Sequence, residues 1–306
     1  MKKIGLVAII VMAMLVAFTG CGTPAAQTPP ATEAPAADAP ATEVPAADAP
    51  AQQVSIKTAG STSVGPVVEA LAERYMAAHQ NVEISVEAGG SSVGVTSAVE
   101  GTVDFGMASR DLKDSEIEAN PDLKATVLCL DGVSVIVNSE NAVADLTKDQ
   151  VKKIYIGEIT DWSEVGGEPG RINLYTRDSA SGTREAFSEL FLGKDDAGEK
   201  IEIDETLCAG IFDSNGAVGS AIQGDPMGIG YMSLGIVDNY EGVSAVKVDG
   251  VEATTDNMSN GTYKFYRHFN LLTMGDPTGA VADFFEYCMT NQEAIEYMKS
   301  KGYVLP

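Results

Sequence analysis

Three times in this chain an extended run enters a short loop of glycine, serine and threonine and leaves it with helical periodicity. The loops are Gly60-Ser61-Thr62-Ser63, Gly90-Ser91-Ser92 and Ser179-Ala180-Ser181-Gly182-Thr183. A strand that passes through a tight loop into a helix, repeated, restricts the fold to the α/β class, because each helix must cross back over the sheet before the next strand can pair. Around the first loop, Ser55 to Ala59 predicts a strand, and Val64, Val67, Val68, Leu71, Tyr75 and Met76 recur at three- and four-residue steps. Val82, Ile84 and Val86 alternate as a strand. They are followed by a helix over Val93 to Glu100 and a strand over Val103 to Met107.

The second half alternates in the same way. The apolar run Ala125 to Val137 is interrupted by Asp131 and Gly132 and is long enough to cross between two lobes. Helices are predicted around Lys148 to Tyr155, over Thr183 to Leu192 and over Gly216 to Gln223; strands over Ile172 to Thr176 and Met227 to Met232. Tyr263 to Arg267 reads as a return crossing, followed by a strand over Leu271 to Met274 and helices over Ala280 to Met289 and Gln292 to Lys301.

The N-terminus is of another kind. Lys2 and Lys3 precede an uncharged run from Ile4 to Phe18, then Thr19, Gly20 and Cys21, which is the layout of a signal peptide over residues 1–20. From Thr23 to Gln53, 19 of 31 residues are Ala or Pro, and ATEAPAADAP recurs as ATEVPAADAP. Without apolar bulk, residues 22–53 read as a disordered tether, able to reach roughly 90 Å in extended polyproline-like form. The part expected to fold, Val54 to Pro306, holds 18 Lys and Arg against 40 Asp and Glu, so the chain's net charge of −24 belongs mainly to it. Such a chain repels polyphosphates, and nucleic acid is excluded as a partner.

Chemistry is constrained by scarcity. There are two histidines, His79 and His268, and four cysteines, Cys21, Cys129, Cys208 and Cys288, without CxxC spacing. No metal site and no cofactor is expected, and the last three cysteines read as free thiols. The Gly/Ser/Thr loops point elsewhere: a helix start offers unpaired N–H groups and a positive dipole end, and hydroxyls add donors. Each loop alone is most simply an N-cap. Three of them, joined by Arg177 four residues before Ser181, describe an anion site, since a guanidinium presents a planar fork to an oxyanion. Trp162 reads as a packing anchor, His79 as a charge at a helix C-terminus, His268 as packing or hinge, and Lys194 to Glu205 as a solvated face.

On these residues the chain resembles the phosphate-binding proteins of bacterial ABC-type phosphate importers, the PstS-like periplasmic binding proteins. The resemblance covers Val54 to Pro306. Its most specific motif is Arg177-Asp-Ser-Ala-Ser181-Gly182-Thr183-Arg184-Glu185; Gly60-Ser-Thr-Ser-Val64, Gly90-Ser91-Ser92 and Asp104-Phe-Gly-Met-Ala-Ser109 look like the family's three phosphate loops. Ile159-Thr-Asp-Trp162-Ser-Glu-Val-Gly166-Gly167 and Gly228-Ile-Gly-Tyr231 match outside the ligand set. The segment ending in Cys21 resembles a lipobox, with Phe18 where Leu is usual, which implies that Cys21 carries a lipid and tethers the protein to the outer face of the cell membrane.

The resemblance implies a type II binding-protein fold with two α/β lobes, 54–131 with 267–306 and 132–266, joined by a two-strand hinge. It implies phosphate ligands Thr62, Ser63, Val64 (backbone N–H), Ser91, Ser109, Arg110, Asp111, Arg177, Ser181, Gly182 and Thr183. Some members place an aspartate directly after Ala-Ser, where it accepts the proton of hydrogen phosphate; here Arg110 stands there and Asp111 follows, so either Asp111 or another acceptor serves. The function implied is capture of inorganic phosphate by a non-enzymatic monomer that delivers it to ABC permease subunits. A binder of sulfate, molybdate or tungstate, a secreted phosphatase or esterase with a cleft serine as nucleophile, and a phosphate-sensing lipoprotein are the alternatives left open.

Overall fold

The computed structural model describes residues 52–306; the signal segment, Cys21 and nearly all of the tether lie outside the described residues. In chain order the elements are β1 (Val54–Gly60), α1 (Gly65–Ala78), β2 (Val82–Ala88), α2 (Ser91–Glu100), β3 (Phe105–Ala108), α3 (Asp114–Ala119) and β4 (Leu123–Asn138). Then come β5 (Asp145–Leu146), α4 (Lys148–Tyr155), β6 (Asn173–Arg177), α5 (Gly182–Phe187), β7 (Cys208–Phe212), α6 (Asn215–Gln223) and β8 (Gly228–Ser233). The chain closes with α7 (Leu234–Val237), β9 (Val243–Ala245), β10 (Lys247–Val248), α8 (Thr255–Ser259), β11 (Tyr266–Met274), α9 (Gly279–Thr290) and α10 (Gln292–Ser300).

Local chemistry sets these limits. Helix α1 starts with Pro66 in its first turn, where a missing N–H costs nothing, and buries the stripe Val67, Val68, Leu71, Ala72 and Tyr75. Each such aliphatic side chain, once buried, contributes about 1.5–3 kcal/mol. Helix α4 begins in a reciprocal cap: the Gln150 N–H donates to Thr147 Oγ1 at 3.1 Å, and the Thr147 N–H donates to Gln150 Oε1 at 2.8 Å.

Strand β4 organises the molecule. Its first part pairs antiparallel with β11, from Leu123 opposite Met274 to Gly132 opposite Tyr266, and its second part, Val133–Val137, pairs antiparallel with β8. The sheet order is β2-β1-β3-β11-β4-β8-β6-β7, with β9 added on β4; β1 is parallel to β2 and β3, and β6 to β7 and β8. One apolar cluster gathers residues between Ile56 and Cys129 with Phe269 to Tyr303; another gathers Val133 to Tyr263. These are the cores of two α/β lobes, with β4 and β11 running between them. In parallel α/β sheets the strand-to-helix loops gather at the carboxyl ends of the strands, which is why the three Gly/Ser/Thr loops meet.

The apolar run 125–137 is a single unbroken strand, with Asp131 and Gly132 inside it rather than breaking it. The return crossing and the strand expected after it are one element, β11; Tyr263 and Phe265 precede it and pack in the second lobe's core. The helix expected over 183–192 is α-helical only to Phe187 and continues as a π-helical turn over Ser188–Leu192. The segment 194–205 is not simply a solvated face: Ile203 is buried and Glu205 pairs with Arg184. Trp162 is buried, its Nε1–H donating to Met227 O at 3.0 Å, and Cys129, Cys208 and Cys288 are free thiols. Among the described residues no helix is long and apolar enough to cross a membrane.

Candidate anion-binding site

The hydroxyls of the first loop divide their work. Ser61 Oγ accepts the N–H groups of Ser63 (3.1 Å) and Val64 (3.3 Å), so Ser61 closes the turn ahead of α1, and the Val64 N–H is engaged within its own loop. That leaves the side chains of Thr62 and Ser63 free to face the other lobe. Ser63 Oγ lies 2.9 Å from Thr183 Oγ1, at the start of α5. In the third loop the cap is Ser181, whose Oγ accepts the Arg184 N–H at 3.2 Å. In the second, Gly90 takes the cap position of α2 and no side chain caps it; Ser91 Oγ instead accepts the Ser109 N–H at 3.0 Å and lies 3.3 Å from Ser109 Oγ.

The lobes meet closely here. The Ser92 N–H donates to Ala180 O at 3.2 Å. A Cβ on Gly182 would strike the side chains of Ser91 and Ser109, and Gly90, at φ +91°, would bring one against the Ala180 carbonyl. Only glycine fits either position.

Arg177, at the end of β6, is 1% exposed. Its Nε donates to Phe212 O (3.2 Å) and its Nη2 to Asp213 O (2.8 Å) and across the lobes to Thr62 Oγ1 (3.2 Å). Its Nη1 is buried without a partner. Burial pulls the guanidinium down to about 10, with the nearby Arg267 acting in the same sense against Tyr231, Asp178 and Asp213; it remains charged at neutral pH.

Two residues that sequence reasoning did not single out complete the cluster. Asn215, the first residue of α6, donates from Nδ2 to Ser63 Oγ (2.8 Å) and Thr62 Oγ1 (3.1 Å). Arg267, on β11, donates from Nη2 to Ser63 Oγ (3.1 Å) and, with Nε, to Asp131 Oδ2 (2.9 and 3.1 Å). Asp131 Oδ1 accepts Ser233 Oγ–H at 2.7 Å. Burial lowers the Arg267 guanidinium from its usual range, and its Nη1, like that of Arg177, is buried without a partner. The Asp131 interruption in an apolar run was the available signal for this ion pair. Asn215, in Asp-Ser-Asn-Gly, looked like any helix start.

Thr62, Ser63, Arg177 and Thr183 are thus brought together, with Val64 at the base of the first loop; Ser91, Ser109, Ser181 and Gly182 form the adjoining wall. The side chains of Arg110 and Asp111 are directed elsewhere. The Arg110 guanidinium takes both carboxylate oxygens of Glu116 (2.8 and 2.7 Å) and lies 2.9 Å from Glu185, on α5. The Asp111 carboxylate, 71% exposed, accepts from His268 Nδ1 at 2.7 Å. Both departures have one physical cause: Arg110 is surrounded by carboxylates, and the chain after it turns outward toward α3. His79 Nδ1 meets Tyr75 O, so each histidine spends that nitrogen away from the serines. Among the described residues no group of three or more His, Cys, Asp or Glu side chains could hold a metal.

Two α/β lobes meeting over a buried, donor-rich cluster of hydroxyls and guanidinia define a solute-binding protein, and a family model described as a PBP superfamily domain matches residues 30–292. Within that class the chain belongs to the PstS-like phosphate-binding proteins: it is 30% identical over 253 residues, 82% of its length, to the phosphate-binding protein PstS of Bacillus subtilis strain 168, of which the match covers 80%. Among solved structures it is similar to a candidate phosphate ABC transporter substrate-binding protein with bound phosphate from Clostridium perfringens (38% identity, TM-score 0.73, covering 82% of this chain and 99% of that one). It is also similar to an ABC-type phosphate transport receptor from Vibrio cholerae (31%, 0.65, 82% and 100%).

Proposed function

We infer that this chain captures inorganic phosphate outside the cytoplasm, in the cleft between its lobes, and delivers it to an ABC permease. The observation that carries this is the convergence of two buried guanidinia, Arg177 and Arg267, each with its Nη1 unpartnered, on the Thr62 and Ser63 hydroxyls. Desolvated cations with unused donors are costly unless an anion completes them. The printed descriptions of the relatives support phosphate as that anion.

The lobe boundaries proposed are 131/132 on β4 and 266/267 on β11, and with them Arg267 and Asp131, opposite each other on these strands, belong to the hinge itself. The phosphate ligands proposed are Thr62, Ser63, Ser91, Ser109, Arg177, Ser181, Gly182 and Thr183, with Arg267 and Asn215 added. Thr62, Ser63 and Ser91 come from one lobe and Arg177, Thr183 and Asn215 from the other, so a ligand touching both stabilises only the closed form and shifts the open–closed equilibrium toward it. A cavity of about 210 Å³ lined by Lys113, Ser181, Arg184, Glu185 and Lys200 lies beside the third loop and offers a mixed-charge approach. The reading includes a monomer without catalytic activity, lipidated at Cys21 and held to the membrane by that lipid alone.

Calorimetric titration of the purified protein, freed of bound anion, tests the reading. One-to-one phosphate binding supports it. Absence of phosphate binding, or hydrolysis of a chromogenic phosphate ester, overturns it.

A further inference from the structure

Hydrogen phosphate carries a proton, and a pocket built of donors alone would set that proton against others. The hydroxyls at the centre of the cleft are already committed as acceptors. Ser63 Oγ receives Asn215 Nδ2 and Arg267 Nη2, and Thr62 Oγ1 receives Arg177 Nη2 and Asn215 Nδ2. With both lone pairs of each oxygen taken, each hydroxyl has only its proton left to give; Ser63 gives its own to Thr183 or to the ligand. Arg177 Nη1 and Arg267 Nη1 are donors as well.

The buried carboxylate of the cleft, Asp131, is spent. Asp131 Oδ2 takes two N–H groups from Arg267, and Oδ1 takes Ser233 Oγ–H and the Gly235 N–H. Asp111 faces His268 at the surface, and Asp178 Oδ1 accepts the Ala180 N–H. In the central cluster one side-chain oxygen that can only accept is left with no partner at all. Asn215 is 1% exposed, its Nδ2 edge is fixed by Thr62 and Ser63, and its Oδ1 is buried with no partner.

We propose that Asn215 Oδ1 accepts the proton of the bound phosphate and is thereby the residue that separates phosphate from sulfate. This rests on the phosphate-binding reading of the cleft. A neutral amide does the work without setting a negative charge against a dianion. Sulfate, with no proton at neutral pH, would leave the amide oxygen unpaired and facing an anionic oxygen. Sites that demand such a hydrogen bond reject the analogue lacking it by about 10⁴-fold or more.

The test titrates phosphate and sulfate, at neutral pH, into the purified wild-type protein and into Asn215→Ala and Asn215→Asp, with thermal melting to verify the fold of each. Three results are expected together: wild type prefers phosphate by at least about 10³-fold; Asn215→Ala binds phosphate about 10- to 100-fold more weakly and loses most of the discrimination; Asn215→Asp keeps rejecting sulfate, because a carboxylate also accepts. Folded variants that all discriminate like wild type overturn the proposal, as does loss of discrimination in both. Equal wild-type binding of the two anions overturns it too, since the amide would then turn Nδ2 to the cleft. In each of these cases phosphate still binds, whereas a wild type that binds no phosphate removes the underlying reading itself.

Discussion

Two clusters of charge bridge the lobes, and they are built on opposite plans. At the rim, Arg110, Lys113 and Lys200 surround Glu185, and Arg110 also grips Glu116; the cations have anions within 4 Å. In the cleft, Arg177 meets only carbonyls and hydroxyls, and Arg267 shares one carboxylate with a serine, leaving Nη1 unpartnered on each. The rim is balanced within the protein and serves as a clasp; in the cleft Arg267 has Asp131, but Arg177 has no carboxylate in reach and is balanced only by something added. A buried guanidinium without a carboxylate, Arg177, is therefore a better mark of a ligand site here than the density of charge, which is higher at the rim.

The sharpest way to break this comparison is Arg177→Ala. Phosphate affinity should fall by about 10³-fold or more, the scale for truncating one partner of a desolvated charge contact. Calorimetry measures it, and Arg177→Lys should recover only part, because an ammonium lacks the fork. An unchanged Kd would remove Arg177 from the site.

Arg267→Met should act on both binding and fold. It leaves Asp131 buried without its cation, for which a loss of about 3–5 kcal/mol is the usual scale, and denaturant melts would report it. Combining it with Asp131→Asn should restore much of the stability but not the affinity. Recovery of both would make Arg267 a purely structural residue.

At the rim, Glu185→Gln should raise the phosphate Kd by only about 2- to 5-fold, in keeping with partly exposed ion pairs. The change should appear in the dissociation rate and shrink with added salt. A loss as large as that of Arg177→Ala would erase the distinction between clasp and site.

The smallest effect concerns acid. Burial, the largest influence on Glu116, pushes its carboxyl up, but the hydrogen bonds and charges of Arg110 and Lys113 prevail and hold it below the usual carboxylate range. A depressed carboxylate contributes stability that is complete above its unfolded value and lost as pH falls through the folded one. Glu116→Gln should therefore lower stability slightly at neutral pH, where that contribution is complete, and flatten the acid limb of a stability–pH profile, leaving variant and wild type alike at low pH.

The α/β class, the order of the main elements and the loops that meet in the cleft were legible in sequence because they depend on neighbours within a few residues: alternation, three- and four-residue periodicity, Gly/Ser/Thr at helix starts. Arg177 was legible too, being four residues from Ser181. Which hydroxyls cap and which face the ligand was not, because Ser61, Thr62 and Ser63 are chemically alike; only the position of Thr183, Arg177 and Asn215 across the cleft assigns Thr62 and Ser63 outward and Ser61 inward. The fate of Arg110 was decided by Glu116 and Glu185, the second of which is 75 positions away in the chain. Arg267 lies 204 positions from Ser63, and Asn215 152. The sequence by itself determined the elements and the kind of ligand; the tertiary structure decided which side chains reach it, because hydrogen-bond pairing across two lobes depends on distances in space that local spacing does not encode.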